Sequence, residues 1–174
     1  MAYSALAVAN AFIKRAQEGK LKQLTPMKLQ KLLFYVQSWY FRTHGKPLFD
    51  DNFSRWTHGP VIPSIYHEFK MYGSGEIKSP GAMLSPIPGG TGSLNLQLVT
   101  PDIDDGDADA VAFIEETIRV YGQYSGWELS VMTHQPGTAW SLGGGGDGGA
   151  MSLAEMAAHI HPESAPTSAS TVNS

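Results

Sequence analysis

The chain has 174 residues, 42% of them hydrophobic and 16% charged, with 12 basic against 16 acidic side chains and a net charge of −4. That length fits one domain with a real core, and the acidic balance supplies no global positive field for nucleic acid. The absence of cysteine excludes a disulfide framework, a thiolate metal site and a cysteine nucleophile, and it fits a cytoplasmic protein.

Residues 4–18 place Leu6, Val8, Ala9, Phe12, Ile13 and Ala16 near helical spacing, with Gly19 as the stop. They lack the charged start, apolar block and cleavage site of a signal peptide, and no apolar run in the chain reaches the ~18 residues of a membrane span. The next stretch, 24–44, predicts the helix around which the rest is organised. Thr25 is a good N-cap, Pro26 suits the first helical position, and Leu24 and Leu29 are spaced for a hydrophobic staple. Leu29, Leu32, Leu33, Val36 and Tyr40 fall within one arc of roughly 100°. Phe34 and Phe41 make a second apolar stripe, with Gln30 and Gln37 between the two. Only Lys28, Lys31, Ser38 and Arg42 occupy a narrow polar strip. Gly45 can take the left-handed conformation that ends the helix.

Residues 46–63 predict a small hairpin or two-strand ribbon, with a tight turn at Gly59-Pro60. Pro63 opens a helix whose face is Ile65, Tyr66, Phe69 and Tyr72, and Gly73 closes it. Residues 74–93 are rich in Pro and Gly and read as a flexible loop; Leu94, Leu96 and Leu98 then alternate as in a half-buried strand. A helix carrying Val111, Phe113, Ile114, Ile118 and Tyr121 follows the acidic run 102–109, and Ser125 caps another over 126–134. Residues 143–149, six glycines and one aspartate, read as a flexible joint before a last helix near 152–160. From 162 to 174 the chain is mostly Ser, Thr, Ala and Pro with one charge, the composition of a disordered polar tail. The sum is a mainly α fold: one domain, 1–161, of five to six helices around a central buried helix, with a small β ribbon.

Three blocks carry a resemblance: LTPMKLQKLLFYVQSWYFRTHGKPLFDD (24–51), RWTHGPVIPSIYHEFKMYG (55–73) and YGQYSGWELSVMTHQPGTAW (121–140). Together, over roughly residues 5–160, they resemble the SocA-like or Panacea domain, also described as phage-associated GepA-like proteins. The resemblance implies a mainly helical domain acting as the antitoxin of a toxin–antitoxin pair, often phage-borne, that neutralises a cognate toxin by direct contact. An alternative it also implies is a proteolytic adaptor that presents a bound toxin to an energy-dependent protease. The third block departs from the family's pattern: a Pro-Trp pair followed by a basic residue is common there, whereas Ala139-Trp140 here precedes a glycine run.

As partner-binding residues the sequence singles out Arg55, Trp56, His58 and Pro60 on the ribbon and turn, with Lys28 and Lys31 alongside. Aromatic residues at a turn are apt anchors for a partner. Lys28 at the third helical position opposes the helix dipole, a local cost that favours a role for it. Tyr66 and Phe69 read as core. His159 and His161 are two apart and point about 200° from each other on a helix, which is no metal pair. The Asp102–Asp109 run misses the register of a calcium loop, because the twelfth position is Phe113; acids there suit the following helix's dipole. The glycine runs lack the Lys and hydroxyl residue of a phosphate loop, and Ser125, Ser130 and His134 come without a nucleophile elbow. No cofactor, metal or catalytic set is expected, and no basic recognition helix marks a DNA-binding regulator.

Overall fold

The computed structural model describes residues 2–89 and 95–163. Thr25 caps the longest helix, its hydroxyl accepting from Lys28 N at 3.2 Å, with Pro26 at the first position and Gly45 ending it at φ +69°. This helix, α2 (Pro26–His44), follows α1 (Ala5–Gln17), whose cap is Ser4. The ribbon expected after it is present: β1 (Ser54–Trp56) pairs antiparallel with β2 (Gly59–Val61), in the register Ser54↔Val61, Arg55↔Pro60 and Trp56↔Gly59. Helix α3 (Pro63–Phe69) and a 3-10 turn (Lys70–Tyr72) come next, then β3 (Met83–Pro86) and β4 (Leu96–Val99). The chain continues with α4 (Ala108–Tyr121), α5 (Gly126–His134), α6 (Ala139–Leu142) and α7 (Leu153–Ala158). The described residues are therefore mainly helical, with seven α-helices and two small antiparallel strand pairs. No helix among them is long and apolar enough to cross a membrane.

Helix α2 packs against α1, α3, α4, α5 and α7 and against β2. Leu29, Leu32, Leu33, Tyr35 and Val36 are fully buried, which brings roughly 1.5–3 kcal/mol each for the large aliphatic side chains. Aromatic stacking joins distant parts of the chain: Tyr35 lies on Tyr121 with centroids 4.1 Å apart and planes 7° from parallel. Tyr121 in turn accepts from Trp39 Nε1 at 2.8 Å and meets His161 Nε2 at 2.6 Å, so His161 belongs to this aromatic group.

Three local expectations are corrected. The tight turn consists of Thr57-His58, while Gly59 and Pro60 belong to β2. Residues 83–86, read as loop, form β3, and its pairing with β4 gives a hairpin. Leu96 and Leu98, expected half-buried, are exposed, because nothing among the described residues covers the hairpin. Its roots are held instead by α1: buried Asn10 donates to the carbonyls of Gly81 (2.9 Å) and Pro101 (2.8 Å) and accepts from Gly81 N (2.7 Å). Residues 90–93 of the expected loop, Leu94 of the expected strand and the 164–174 part of the polar tail lie outside the described residues.

The helix ends show how sequence is converted to structure. Ser125 and Glu128 form a reciprocal capping box on α5. In the acidic run it is Asp107 that caps α4, accepting from Ala110 N at 3.1 Å and from the Tyr3 hydroxyl at 2.8 Å. The Ala110 amide first, and then Tyr3, hold its carboxyl below the usual range.

Gln37 ties the end of the 46–53 segment to α2. Its Oε1 accepts from Leu48 N (2.8 Å) and Phe49 N (3.3 Å), and its Nε2 donates to Phe49 O (2.6 Å). A Gln37→Leu substitution keeps the volume but leaves three buried backbone groups unpaired. At about 1–3 kcal/mol for each unsatisfied group, urea denaturation should report a loss of roughly 3–9 kcal/mol. A loss below about 1 kcal/mol would mean that water reaches these groups.

Candidate functional site

The polar strip Lys28, Lys31, Ser38 and Arg42, read as a solvated stripe, is the first correction at the site: Arg42 is exposed, but the other three side chains are buried. Their polar ends are satisfied by backbone carbonyls. Lys28 Nζ donates to Lys22 O (2.7 Å) and Gly122 O (2.6 Å), joining the chain before α2 to the end of α4. Ser38 Oγ donates to Phe34 O within its own helix. Lys31 Nζ donates to Pro60 O at 3.0 Å, and this is its single hydrogen bond among the described residues. Burial drives the Lys31 amine down to about 7; it lowers that of Lys28 too, with Glu128 opposing the shift.

The ribbon approaches Lys31 because Gly59 has no side chain. Gly59 sits at φ +111°, and a Cβ there would fall 2.7 Å from Thr133 Oγ1 and 3.0 Å from Lys31 Cε. Gln30 locks the exit of β2 to the same helix, accepting from Ile62 N (2.9 Å) and donating to Ile62 O (3.0 Å). On the other side, α5 holds the turn: Ser130 Oγ donates to His58 O (2.6 Å), and His134 Nε2 contacts Thr57 O (2.7 Å). The second His134 nitrogen faces Ser130 O at 2.6 Å.

Between the ribbon, α3 and the first turns of α2 lies an open groove of about 670 Å³. Its walls are mainly apolar: Met27 and Leu29 from α2, Val61 from β2, and Ile65 and Phe69 from α3. Trp56 and Tyr66 pack edge-to-face at 5.0 Å. Tyr66, expected in the core, is 42% exposed, whereas Phe69 is buried as expected. Of the six residues singled out from sequence, Lys31, Arg55, Trp56 and His58 line this one groove, while Lys28 and Pro60 do not. Trp56 is half-buried and His58 exposed; Arg55 and Pro60 are buried. The contribution of α3 was missed because Tyr66 lies one residue off the Ile65–Phe69 stripe, and spacing alone does not tell a stripe's edge from its centre.

Arg55 is a structural link as well as a lining residue. It is 5% exposed, pairs with Glu155 of α7, and donates to the carbonyls of Ala150 (3.0 Å) and Ala139 (3.5 Å). Its Nε has no hydrogen-bond partner among the described residues. The glycine run passes beside it: a Cβ on Gly143 would collide with the guanidinium, and Gly148 N and Gly149 O hydrogen-bond with Arg55 O and N at 2.7 and 2.8 Å. Asp147, from the same run, stands at the groove's edge, its Oδ1 accepting from Gly149 N at 2.8 Å. No group of three or more His, Asp or Glu residues among the described residues is arranged to hold a metal.

The lowered Lys31 amine has a consequence for stability. The unfolded chain keeps this lysine protonated up to its ordinary value of 10.5, while the folded chain releases the proton from about 7. The unfolded state thus binds more protons between those values, so the Lys31 contribution makes folding more favourable as pH rises through that window. Denaturation midpoints measured from pH 6.5 to 10 should show this rise in the native protein and a flatter profile in Lys31→Met. Identical profiles would contradict it.

Comparison with known proteins identifies a family. The family model described as antitoxin SocA-like, Panacea domain, matches residues 29–141, from the first turns of α2 into α6. That span is narrower than the 5–160 expected from the three blocks; it contains the ribbon and α3 but ends before the glycine run. The antitoxin SocA of Caulobacter vibrioides (strain NA1000 / CB15N) is 28% identical over 144 residues, covering 83% of this chain and 72% of the relative. No solved structure matches. With 29–141 matched, more than half of its length, the chain belongs to the antitoxin SocA-like, Panacea domain family.

Proposed function

We propose that this chain is an antitoxin that neutralises a cognate toxin by direct protein–protein binding, and that the groove between ribbon, α3 and α2 is its contact surface. Membership of an antitoxin family is the observation that supports the activity. The surface is chosen on geometry. Open apolar side chains among the described residues occur at the groove, on α5 as Trp127 and Val131 (63% and 48% exposed), and on the β3–β4 hairpin, with Leu84 and Leu98 61% and 73% exposed. The hairpin offers apolar side chains alone. The groove combines a concave apolar wall, an aromatic pair at its mouth and polar groups on buried, hydrogen-bonded supports, the composition of a binding-energy centre. In this reading the chain performs no catalysis, and the toxin is blocked by occupancy.

Co-expression with the product of the adjacent gene should restore growth and yield a complex that co-purifies. Protection that persists in a host lacking its energy-dependent proteases is expected for blocking by occupancy; protection lost there would instead favour an adaptor. Trp56→Ala should weaken the complex by about 2 kcal/mol, roughly 30-fold, with a small change in melting temperature. A loss of fold equal to the loss of binding would place Trp56 in the core.

A further inference from the structure

We infer that the groove receives from the toxin a short apolar segment bearing one carboxylate, and that this carboxylate meets the Lys31 ammonium. The inference rests on the antitoxin reading for the source of the segment, and on the groove itself for its chemistry.

Lys31 is 1% exposed, yet it lines the groove and carries three donors with one hydrogen bond among the described residues. Beside it Arg55, also buried, leaves its Nε without a partner. A buried lysine with donors to spare, lining a groove whose walls are mainly apolar, is an unfinished electrostatic arrangement. An amine buried without an acid is costly, and burial accordingly pushes this one down to about 7. An incoming carboxylate would reverse that cost by pairing with the protonated amine in a site it shields from water.

The shape restricts what carries the carboxylate. A free inorganic anion would leave Val61, Ile65, Phe69 and the Trp56–Tyr66 pair uncovered, and a purely apolar segment would cover them while leaving Lys31 unpaired. An apolar residue with an adjacent carboxylate, from an acidic neighbour or a chain terminus, satisfies both. The charged and titratable groups around Lys31 are Arg55 and His58 on the ribbon, Tyr66 on α3, His134 on α5 behind the turn, and Asp147 on the glycine run. Asp147 is the acid at the edge and opposes an anionic guest; its hydrogen bond to Gly149 N keeps it in the loop's own structure.

The probes are N-acetylated dipeptides ending in Leu, Phe or Trp, each with a free carboxylate or as the amide, titrated into the full chain. Lysine side-chain NMR follows the Lys31 proton, and the Trp56 indole signal reports occupancy. At least one carboxylate should shift the Trp56 signal, raise the pH at which Lys31 loses its proton and bind at least tenfold tighter than its amide. Asp147→Asn should tighten carboxylate binding further. Lys31→Met should remove the preference for carboxylate over amide. The native-protein titration stands by itself if that variant does not fold. No binding by any probe, or equal binding of acids and amides, overturns the inference. These readouts need no toxin, so they are separate from the antitoxin reading. Neutralisation without carboxylate preference sinks the inference alone, and carboxylate preference without neutralisation sinks the antitoxin reading alone.

Discussion

The arrangement on which the rest of the molecule depends is a set of long polar side chains on α2 that reach the backbone of other segments. Lys28 holds Lys22 O and Gly122 O; Gln30 holds both backbone groups of Ile62; Lys31 holds Pro60 O; Gln37 holds Leu48 and Phe49. Irregular backbone next to a core must find hydrogen-bond partners or lose free energy group by group. Segments 46–53 and 54–62 have little regular structure to provide those partners. The helix provides them, and in doing so fixes the height and angle at which the ribbon sits.

The groove is a result of that fixing. Lys31 holds the middle residue of β2 and Gln30 the residue that follows it, Ser130 and His134 hold the turn from the α5 side, and Gly59 permits the close approach. With the ribbon so anchored, Trp56 leans toward Tyr66, and the space between ribbon and α3 stays open. Lys31 has a double role here. Its stem belongs to the packed interior and its amine braces the ribbon, yet the residue also lines the groove. One position thereby couples the stability of the ribbon to the electrostatics of the surface proposed to meet a partner.

The C-terminal part is attached through Arg55. One guanidinium reaches Glu155 on α7 and two carbonyls, and the backbone of Arg55 pairs with Gly148 and Gly149. This explains small residues beside it, since Gly143 has no room for a side chain. It also means that the residues from 139 to 155, mostly beyond the matched family span, are built onto the ribbon that lies within it.

The sequence by itself determined the local elements. The Thr25-Pro26 and Ser125–Glu128 signals and Gly45 marked helix ends, because capping is decided by atoms a few residues apart. The same locality made the β1–β2 ribbon legible, while the meeting of Lys31 with Arg55, Trp56 and His58 at one groove was decided by tertiary structure. What the sequence did not determine is which face of α2 meets solvent. Lys28, Lys31 and Ser38 make a polar strip at helical spacing, and spacing carries no information on whether carbonyls from residues 22, 60 and 122 will arrive to cover it. The turn position, the β3–β4 hairpin and the exposure of Tyr66 were hidden for the same reason. Each depends on partners far away in the chain, and only tertiary structure brings those within reach.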